Sequence, residues 1–476
     1  MKVVSYYLGL FLRIFSALLL VPVVVGKFYG ESFVHLEGFI IAAFISIVLG
    51  AILHFYGKRE NPSTVQGLIA ATLGWIIAVS IGGIPFMEAL DMSFVNAFFE
   101  AMSGFSTTGM SIVAVEELSK SMLFWRAFMQ WVGGLGILTF FVAVVSEAGG
   151  AARSLISAEA DKTDPGSIRP SPFNAIKSLW YVYIVLTLVE VGALYFFDMS
   201  FFNALLYSFT TLPTGGFAST AGGISAFNSL GIEAVVTLFM LFGGTNFLLL
   251  YRMLQGDIKS LFENYEFRLF MKIMVAVAVF IGLDLVFNRG LSVLDALRTT
   301  IFSVVSITSS TGFETAAINS FPEISRLLFI ALMFVGGSLG STTGGIKVFR
   351  FGVLFKVVKR EIRSFTLPTS YFNPVNIKDK VIEGDELTRI VAIVVVWLAT
   401  IFLGGLVTLA YTDLSIVQAV QGMTSAMGTM GPVFMEEAKI VALPPVVKIF
   451  WALGMLAGRL EALPILVILN AKFFGE

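Results

Sequence analysis

Four short turns in this chain combine glycine with hydroxyl-bearing residues, and each lies between two hydrophobic stretches. Backbone carbonyl oxygens can replace the water shell of an alkali cation without adding net charge, so the ion can still leave. Pointing carbonyls at one axis requires unusual backbone angles, which glycine adopts with the least strain. The turns are Ser106-Thr107-Thr108-Gly109-Met110, Pro213-Thr214-Gly215-Gly216-Phe217, Ser309-Ser310-Thr311-Gly312-Phe313 and Gly428-Thr429-Met430-Gly431-Pro432.

The four turns align on one glycine each if Gly216, not Gly215, is used in the second turn. The sequence leaves open which of these two glycines faces an ion. A single turn of this kind is typical of close helix packing in membranes, whereas four in register favour a ring of cation ligands. The candidate ligands are Thr107, Thr108, Gly109, Thr214, Gly215, Gly216, Ser310, Thr311, Gly312, Thr429, Met430 and Gly431.

The composition is that of a protein that crosses a membrane several times. Of the 476 residues, 57% are hydrophobic and 13% are charged, whereas soluble domains carry about 25% charged residues. The chain has no cysteine and a net charge of −1, which excludes a disulfide framework and argues against a nucleic-acid partner. A crossing needs about 20 apolar residues, and ten stretches qualify: 6–26, 37–56, 66–88, 122–146, 178–198, 230–251, 268–287, 325–356 (interrupted), 388–411 and 443–471.

The four turns lie between consecutive predicted spans, in segments that are too short to cross. We therefore expect each segment to be a re-entrant half-helix that lines protein and water. The predicted fold is an all-α polytopic membrane protein, with two extra N-terminal helices and four pseudo-fourfold helix–pore-loop–helix repeats around a central ion pore. The predicted boundaries are 1–60 for the N-terminal helices, 61–150 for repeat 1, 151–262 for repeat 2, 263–365 for repeat 3 and 366–476 for repeat 4.

The charged residues predict the orientation of the chain. Most of the 31 Lys and Arg residues fall on the side opposite the turns, so we expect cytoplasmic termini and turns that enter from outside. Acidic residues on the turn side, such as Glu314 and Glu437, either raise the local cation concentration or are ordinary solvated loop charges. The cytoplasmic stretches 147–177 and 357–387 are too short for a catalytic domain, but either could dock a soluble protein.

The eighth span contains an interruption rich in glycine and hydroxyl groups. Each glycine costs about 1 kcal/mol against alanine in a helix, so we expect an unwound loop at mid-membrane depth, where it must line a cavity. Such a loop is a candidate movable obstruction, although close helix packing is an alternative interpretation. Its candidate residues are Gly336, Gly337, Ser338, Gly340, Ser341, Thr342, Thr343, Gly344, Gly345 and Lys347.

Two basic residues accompany this loop. Arg459 in the tenth span would be costly facing lipid, so we expect it to face the pore, hydrogen-bond the loop and repel cations from a closed gate. Pairing with Glu461 or snorkelling to an interface is the alternative. Lys347, at the end of the loop, either positions the loop or only marks the cytoplasmic boundary.

At these residues the chain resembles the Trk/Ktr/HKT superfamily of potassium transporters, and most of all its TrkH/TrkG branch. The four turns, the segment 336–347 and Gly458-Arg459-Leu460-Glu461 carry the resemblance, and the two extra N-terminal spans match this branch. The resemblance implies K+ uptake across the plasma (inner) membrane of a prokaryote, through a four-repeat selectivity filter gated by the intramembrane loop. Glycine at all four filter positions resembles the K+-selective members.

The resemblance also implies partners and alternatives. It implies a homodimer in the lipid bilayer and a cytoplasmic TrkA-type ring of nucleotide-binding regulatory subunits. It implies no organic cofactor and no enzymatic activity. The alternative function is that of a poorly selective Na+/K+ transporter or an ion-coupled cation symporter of the same superfamily.

Overall fold

The computed structural model describes residues 1–146, 172–365, 375–377, 380–382 and 384–460. Within these ranges the chain is almost entirely helical. The helices are Lys2–Phe28 (α1), Glu37–Tyr56 (α2), Thr64–Gly82 (α3), Ile84–Leu90 (α4), Phe94–Phe105 (α5), Lys120–Ser146 (α6), Pro172–Phe196 (α7), Phe201–Thr211 (α8), Leu230–Gly243 (α9), Phe247–Leu254 (α10), Ile258–Glu263 (α11), Tyr265–Arg289 (α12), Val293–Thr308 (α13), Glu323–Val335 (α14), Val348–Ser364 (α15), Gly384–Tyr411 (α16), Ile416–Gly428 (α17), Glu437–Val441 (α18) and Pro445–Arg459 (α19). Two short strands, Asn376–Ile377 (β1) and Lys380–Val381 (β2), pair antiparallel.

The apolar helices agree with a polytopic membrane protein. Six helices of the described chain are long and apolar enough to cross a membrane, and a seventh crossing results if the bent pair α9 and α10 counts as one span. The six are α1, α2, α3 with α4, α7, α12 and α16. The remaining predicted spans correspond to α6, to the interrupted pair α14 and α15, and to α19. Residues 461–471 of the predicted last span lie outside the described residues.

Each of the four predicted re-entrant segments is a short helix that ends at its glycine turn. The helices α5, α8, α13 and α17 have 12, 11, 16 and 13 residues, too few to cross a bilayer. All four begin at a serine whose hydroxyl accepts the N–H three residues further on, which fixes the start of the helix. These serines are Ser93, Ser200, Ser292 and Ser415, at distances of 3.4, 3.4, 3.2 and 3.3 Å.

The predicted sixth span over 230–251 is interrupted by a sharp bend that the sequence analysis did not predict. Helix α9 ends at Gly243, α10 begins at Phe247, and the two axes differ by 114°. Two consecutive glycines at the break lower the stability of a continuous helix. The Asn246 side chain then starts a new helix, because its Oδ1 accepts the backbone N–H of Leu248 at 2.8 Å.

The N-terminal helices α1 and α2 form a tight antiparallel pair that is fastened to repeat 1. A Cβ atom on Gly9 would overlap the backbone of His54 and Gly50, so the two helices approach at small residues. The Ser16 hydroxyl donates to the Ala43 carbonyl at 2.9 Å across the pair. Glu31, in the connection between them, accepts the Ser121 N–H at 3.0 Å and so caps the first turn of α6.

Candidate ion pathway

The four glycine turns share one backbone conformation. The second residue of each turn has a positive φ, namely 58° at Thr107, 58° at Thr214, 56° at Ser310 and 50° at Thr429. Two residues later each turn has a glycine with a positive φ: 82° at Gly109, 76° at Gly216, 81° at Gly312 and 93° at Gly431. In backbone geometry Gly216, and not Gly215, is therefore the equivalent of the other three turn glycines.

The hydrogen bonds of the turns are also equivalent. The N–H of the middle residue points back into its own half-helix and donates to a carbonyl five residues earlier. These bonds are Thr108 to Ser103 at 2.9 Å, Gly215 to Thr210 at 2.8 Å, Thr311 to Ser306 at 2.9 Å and Met430 to Ser425 at 3.0 Å. Anion sites are built from free backbone N–H groups. Here those groups are used internally, which leaves carbonyl and hydroxyl oxygens as the ligands that the turns can offer.

The turns close into a ring in chain order. A Cβ atom on Gly109 would overlap the Gly215 carbonyl oxygen, one on Gly216 would overlap that of Thr311, and one on Gly312 would overlap that of Met430. The ring closes at Gly431, whose Cβ would lie 2.8 Å from the Thr108 carbonyl oxygen. Each turn therefore touches the next, and the fourth touches the first. Four equivalent segments in cyclic contact surround a common axis.

Hydroxyl groups at the start of the turns are buried and unusually short of partners. The hydroxyls of Thr107, Ser310 and Thr429 have no hydrogen-bond partner among the residues that the structure describes. An unsatisfied buried hydroxyl costs about 1–3 kcal/mol. The fourth hydroxyl, that of Thr214, lies 3.3 Å from Thr342 in the segment 336–347. Three orphaned oxygens at equivalent positions fit a dehydrated cation or an ordered water beside them.

Glutamine side chains hold the backbone of the second and fourth turns close to the turn glycine. Gln130 of α6 donates to the Gly215 carbonyl at 2.8 Å and accepts the Phe217 N–H at 3.1 Å. Gln421 of α17 does the same in repeat 4, where it donates to the Pro432 carbonyl at 2.9 Å and accepts the Phe434 N–H at 2.8 Å. The second turn is thus supported from repeat 1, and the fourth from its own half-helix.

A buried ion pair supports the turns of repeats 1 and 2. The Arg126 and Glu100 side chains are 3% and 0% exposed, and Nε donates to Oε1 at 3.1 Å. Glu100 also accepts the N–H of Ile112 at 2.9 Å, just after the first turn. Arg126 donates to the Ala218 carbonyl at 3.1 Å, just after the second turn, and its guanidinium lies 4.3 Å from the Phe217 ring centroid. One buried pair therefore ties two neighbouring turns together.

The segment 336–347, which we call the 336–347 loop, lies directly against two of the turns. A Cβ atom on Gly344 would overlap the Gly428 carbonyl and the Thr429 hydroxyl at the start of the fourth turn. On the other side, the Thr342 hydroxyl donates to the Leu212 carbonyl at 3.0 Å, just before the second turn. Repeats 2 and 4 lie opposite each other in the ring, so the loop crosses from one side of the ring to the other.

The 336–347 loop is non-helical, as the sequence predicts, and Lys347 is part of it. Gly336, Gly340, Gly345 and Lys347 have φ values of 66°, 70°, 79° and 77°. The buried Lys347 ammonium donates to the Thr343 carbonyl and, at 3.2 Å, to the Thr343 hydroxyl. These bonds place Lys347 within the loop, at its junction with α15.

Arg459 of repeat 4 connects the 336–347 loop to repeat 1. Its guanidinium donates to the Thr342 carbonyl in the loop, to the Gly134 carbonyl of α6 and, at 3.0 Å, to the Gly133 carbonyl. These contacts agree with the expected position beside the loop and not with snorkelling to an interface. The alternative partner Glu461 lies outside the described residues. Positive charge is thereby held beneath the ring of turns.

A further glycine pattern in the sequence marks contacts between the second span of a repeat and its half-helix. Glycine pairs recur in the second predicted span of repeats 1 to 3, within α6 in repeat 1 and at the helix breaks in repeats 2 and 3, and Gly458-Arg459 takes this place in repeat 4. In three repeats the first of these glycines packs on a half-helix carbonyl four residues before the turn glycine. Gly133 approaches Phe105, Gly243 approaches Leu212, and Gly458 approaches Met427. The sequence analysis did not identify Glu100, Arg126, Gln130, Asn246 or Glu266.

One acidic group on the turn side titrates near neutrality. Burial raises the pKa of the Glu314 carboxyl to about 7, and the negative charge of Glu437 adds to the rise. The Ile318 N–H, which donates to Oε2 at 3.3 Å, lowers the pKa by a smaller amount. Glu314 follows the turn glycine Gly312 by two residues. Its charge near the ring therefore depends on pH in the neutral range.

The fold and this site together define a membrane cation-transport protein that forms its pore from four repeats of a single chain. The sequence profile of the TrkH family, described as cation transport proteins, matches residues 35–474. The chain belongs to this family.

Individual relatives cover nearly the whole chain. A Trk system potassium uptake protein TrkH of Vibrio parahaemolyticus is 30% identical over 489 residues, 98% of each chain. The protein of the same name from Escherichia coli K12 is 28% identical over 484 residues, 100% of this chain and 99% of the relative. The crystal structure of the potassium transporter TrkH from V. parahaemolyticus superposes with a TM-score of 0.88 at 27% identity, over 99% of both chains.

Proposed function

We propose that this chain takes up K+ through a selectivity filter formed by the four glycine turns. The observation that carries the proposal is the cyclic contact of Gly109, Gly216, Gly312 and Gly431 with the neighbouring turns. A ring of backbone oxygens coordinates a dehydrated cation without binding it too tightly. The ligands are the carbonyl and hydroxyl oxygens of Thr107, Thr108, Gly109, Thr214, Gly215, Gly216, Ser310, Thr311, Gly312, Thr429, Met430 and Gly431.

The electrostatics of the proposed filter favour a cation. Four half-helices end at the ring, and the C-terminal end of a helix carries a partial negative charge. No chemical step is needed to drive uptake, because an inward-moving unit charge gains about 2.3 kcal/mol per 100 mV of membrane potential. The potassium-uptake names of the relatives support K+ as the transported ion. We propose transport and not catalysis as the role of the chain.

The 336–347 loop is the proposed gate. It lies beneath the ring, contacts the turns of repeats 2 and 4, and brings in the positive charge of Arg459, which repels cations. In this arrangement the loop must move before an ion can leave the ring toward the basic side. The buried Lys347 and its bonds to Thr343 shape the loop in its closed position.

The proposed setting is the inner membrane of a prokaryotic cell, with cytoplasmic termini and turns that open to the outside. The division into repeats at 61–150, 151–262, 263–365 and 366–476 is kept as part of the proposal. The excess of Lys and Arg on the side opposite the turns supports this orientation. We further propose a homodimer whose basic cytoplasmic face receives a TrkA-type regulatory ring.

Flux into liposomes tests the proposed function. Purified protein is reconstituted, and uptake of radioactive Rb+ or K+ is driven by a membrane potential, with excess unlabelled K+, Na+, sugars or amino acids as competitors. We expect Rb+ uptake that K+ suppresses and that Na+ and organic solutes leave unchanged. Equal suppression by Na+ would favour the poorly selective alternative. Uptake that requires a Na+ or H+ gradient would favour the ion-coupled symporter.

A further inference from the structure

Two interruptions of helical structure lie side by side in this molecule, and each supplies hydrogen-bond partners for backbone groups of the other. One is the break at Gly243–Asn246 between α9 and α10, and the other is the 336–347 loop. A broken helix leaves backbone N–H and C=O groups without partners. Here the Ser338 N–H donates to the Gly244 carbonyl at 2.9 Å, and the Phe247 N–H donates to the Gly340 carbonyl at 3.1 Å. The bend of the sixth span and the loop are therefore one interlocked unit.

Leu339 is the point at which side chains from outside hold the loop. Its N–H donates to Glu266 Oε1 at 2.7 Å, and its carbonyl accepts from Asn246 Nδ2 at 2.7 Å. Glu266 belongs to the first turn of α12, and Asn246 precedes α10. Both backbone groups of one loop residue are thus fixed by two other elements of the chain.

The two side chains are themselves fixed. Asn246 uses its Oδ1 to cap α10 through Leu248, so its amide group can point only its N–H donors at the loop. Glu266 is 3% exposed, with the positive charges of Lys347 and Arg350 nearby. Buried polar groups with defined partners act as a unit, and removing one partner leaves the other unsatisfied.

We propose that Asn246 and Glu266 form a latch that holds the 336–347 loop in its closed position. They are positioning residues, since they act on the ion path through the loop and do not touch the ion themselves. The loop can move only when the bonds of Leu339 to Glu266 and Asn246 are both lost. The Gly244 carbonyl and the Phe247 N–H, at the bend between α9 and α10, then lose their partners in the loop. The latch couples loop movement to the shape of the α9–α10 bend. This inference rests on the proposed gating role of the loop.

A thiol on the loop reports its position independently of transport. The chain has no cysteine, so Ser338→Cys introduces a single thiol. Ser338 is 1% exposed, and its hydroxyl has no hydrogen-bond partner among the described residues, so little is lost in the exchange. The rate at which a water-soluble maleimide labels this thiol measures how often the loop leaves its place.

Substitutions of Asn246 and Glu266 can remove the bonds to Leu339 while keeping other functions of these residues, such as the capping of α10. Asn246→Asp keeps a cap for α10 but loses the N–H donor to Leu339. Glu266→Ala loses the acceptor, whereas Glu266→Gln keeps an acceptor oxygen. We expect labelling about tenfold faster in Asn246→Asp and Glu266→Ala, the change produced by losing a typical buried hydrogen bond, and a rate near that of the parent in Glu266→Gln.

Asn264→Asp is the matched control. Asn264 caps α12 through the Phe267 N–H at 3.0 Å and has no contact with the loop among those described, so its labelling rate should equal that of the parent. Equal rates in Asn246→Asp, Glu266→Ala and this control would overturn the latch. An equally faster rate in Asn264→Asp would also count against it, because a general loosening of the fold exposes the thiol without any latch.

Parallel flux measurements distinguish the latch from the proposed function. If the latch variants label faster and pass more Rb+ with unchanged preference over Na+, both proposals are supported. If they label faster while neither they nor the parent pass Rb+, the latch stands and the proposed function fails. If the parent is K+-selective but the latch variants label no faster than the control, the latch alone fails.

Discussion

The four glycine turns and the 336–347 loop are held in place in different ways. The turn occurs in four copies, and its N–H groups donate to the half-helix that it ends, so most of its shape is encoded within the half-helix and the turn themselves. The loop occurs once, and besides internal bonds such as that of Lys347 to Thr343 it is held by contacts from α9, α10, α12, α17, α19 and the second turn. Local bonds form together with their helix, whereas long-range bonds can break while the helices remain intact.

This difference implies a division of labour. A region held by local bonds is rigid and suited to discriminating ions by coordination. A region held by bonds from several repeats can be released as a unit, and is suited to opening and closing. Changes in the turns should therefore alter selectivity, and changes at the loop should alter rate. The predictions that follow test this separation, beginning with the largest expected effect.

The largest effect is expected at the buried pair that crosses between two turns. Arg126→Met would leave the Glu100 carboxylate buried without its partner, which costs about 3–5 kcal/mol of stability. Arg360→Met is the control, because the pair of Arg360 with Glu361 has 30% and 57% exposed side chains and should contribute about 0–1 kcal/mol. Thermal unfolding in detergent compares the two. Equal unfolding temperatures would mean that turns 1 and 2 are supported only locally.

The second prediction concerns Arg459, which connects the 336–347 loop to α6. Arg459→Gln removes charge-assisted hydrogen bonds to Thr342, Gly133 and Gly134. Such bonds are each worth about 1.5–3 kcal/mol, so we expect Rb+ flux to rise about tenfold or more with an unchanged preference for K+ over Na+. Concentration-dependent liposome flux with both ions measures rate and selectivity together. A loss of selectivity without a gain in rate would contradict the separation of the two regions.

The third prediction concerns a turn glycine. Gly109 has a φ of +82°, which residues with side chains rarely adopt, and in Gly109→Ser the new Cβ would overlap the Gly215 carbonyl oxygen. Two adjacent turns must therefore shift. Overpacking of this kind costs about 1–3 kcal/mol, and we expect the preference for K+ over Na+ to fall about tenfold. The control is Gly192→Ser, whose Cβ would have no neighbour within 4 Å. Unchanged selectivity in Gly109→Ser would count against the filter assignment.

The smallest effect should come from external pH. Because the pKa of Glu314 is raised to about 7, the group is neutral at pH 6 and ionised at pH 8. A unit charge screened as in water is worth about 1 kcal/mol at 4 Å and less farther away, so we expect a change of about threefold in local cation concentration. Rb+ uptake at low concentration should therefore rise by about this factor between pH 6 and pH 8. Glu314→Gln should remove the rise, and a Gln variant that keeps it would assign the titration to another group.

The fold could be predicted because its pattern is repeated and local. Four half-helices are marked by the glycine turns and also by a serine cap, in segments such as Ser93-Phe94-Val95-Asn96. The loop could be predicted because five glycines within residues 336–345 disfavour a helix. The register of the second turn followed from aligning Gly216, and the backbone angles agree with that alignment.

The missed features depend on contacts between distant residues. The 114° bend after α9 was hidden because Gly243-Gly244 is also compatible with ordinary helix packing in a membrane. Glu266 lies in the first turn of α12, and only the fold brings it to Leu339. Arg126 and Glu100 are 26 positions apart, on different helices, and no periodic pattern connects them. The role of each depends on the partner that the fold supplies.

The central claim is that the four turn glycines surround a cation. Crystals grown in Rb+ or Tl+ give anomalous density at the ion positions, independent of any transport assay. We expect density on the axis among Gly109, Gly216, Gly312 and Gly431, which Na+ replaces poorly. An empty ring in crystals whose anomalous density lies elsewhere in the membrane region would contradict the account.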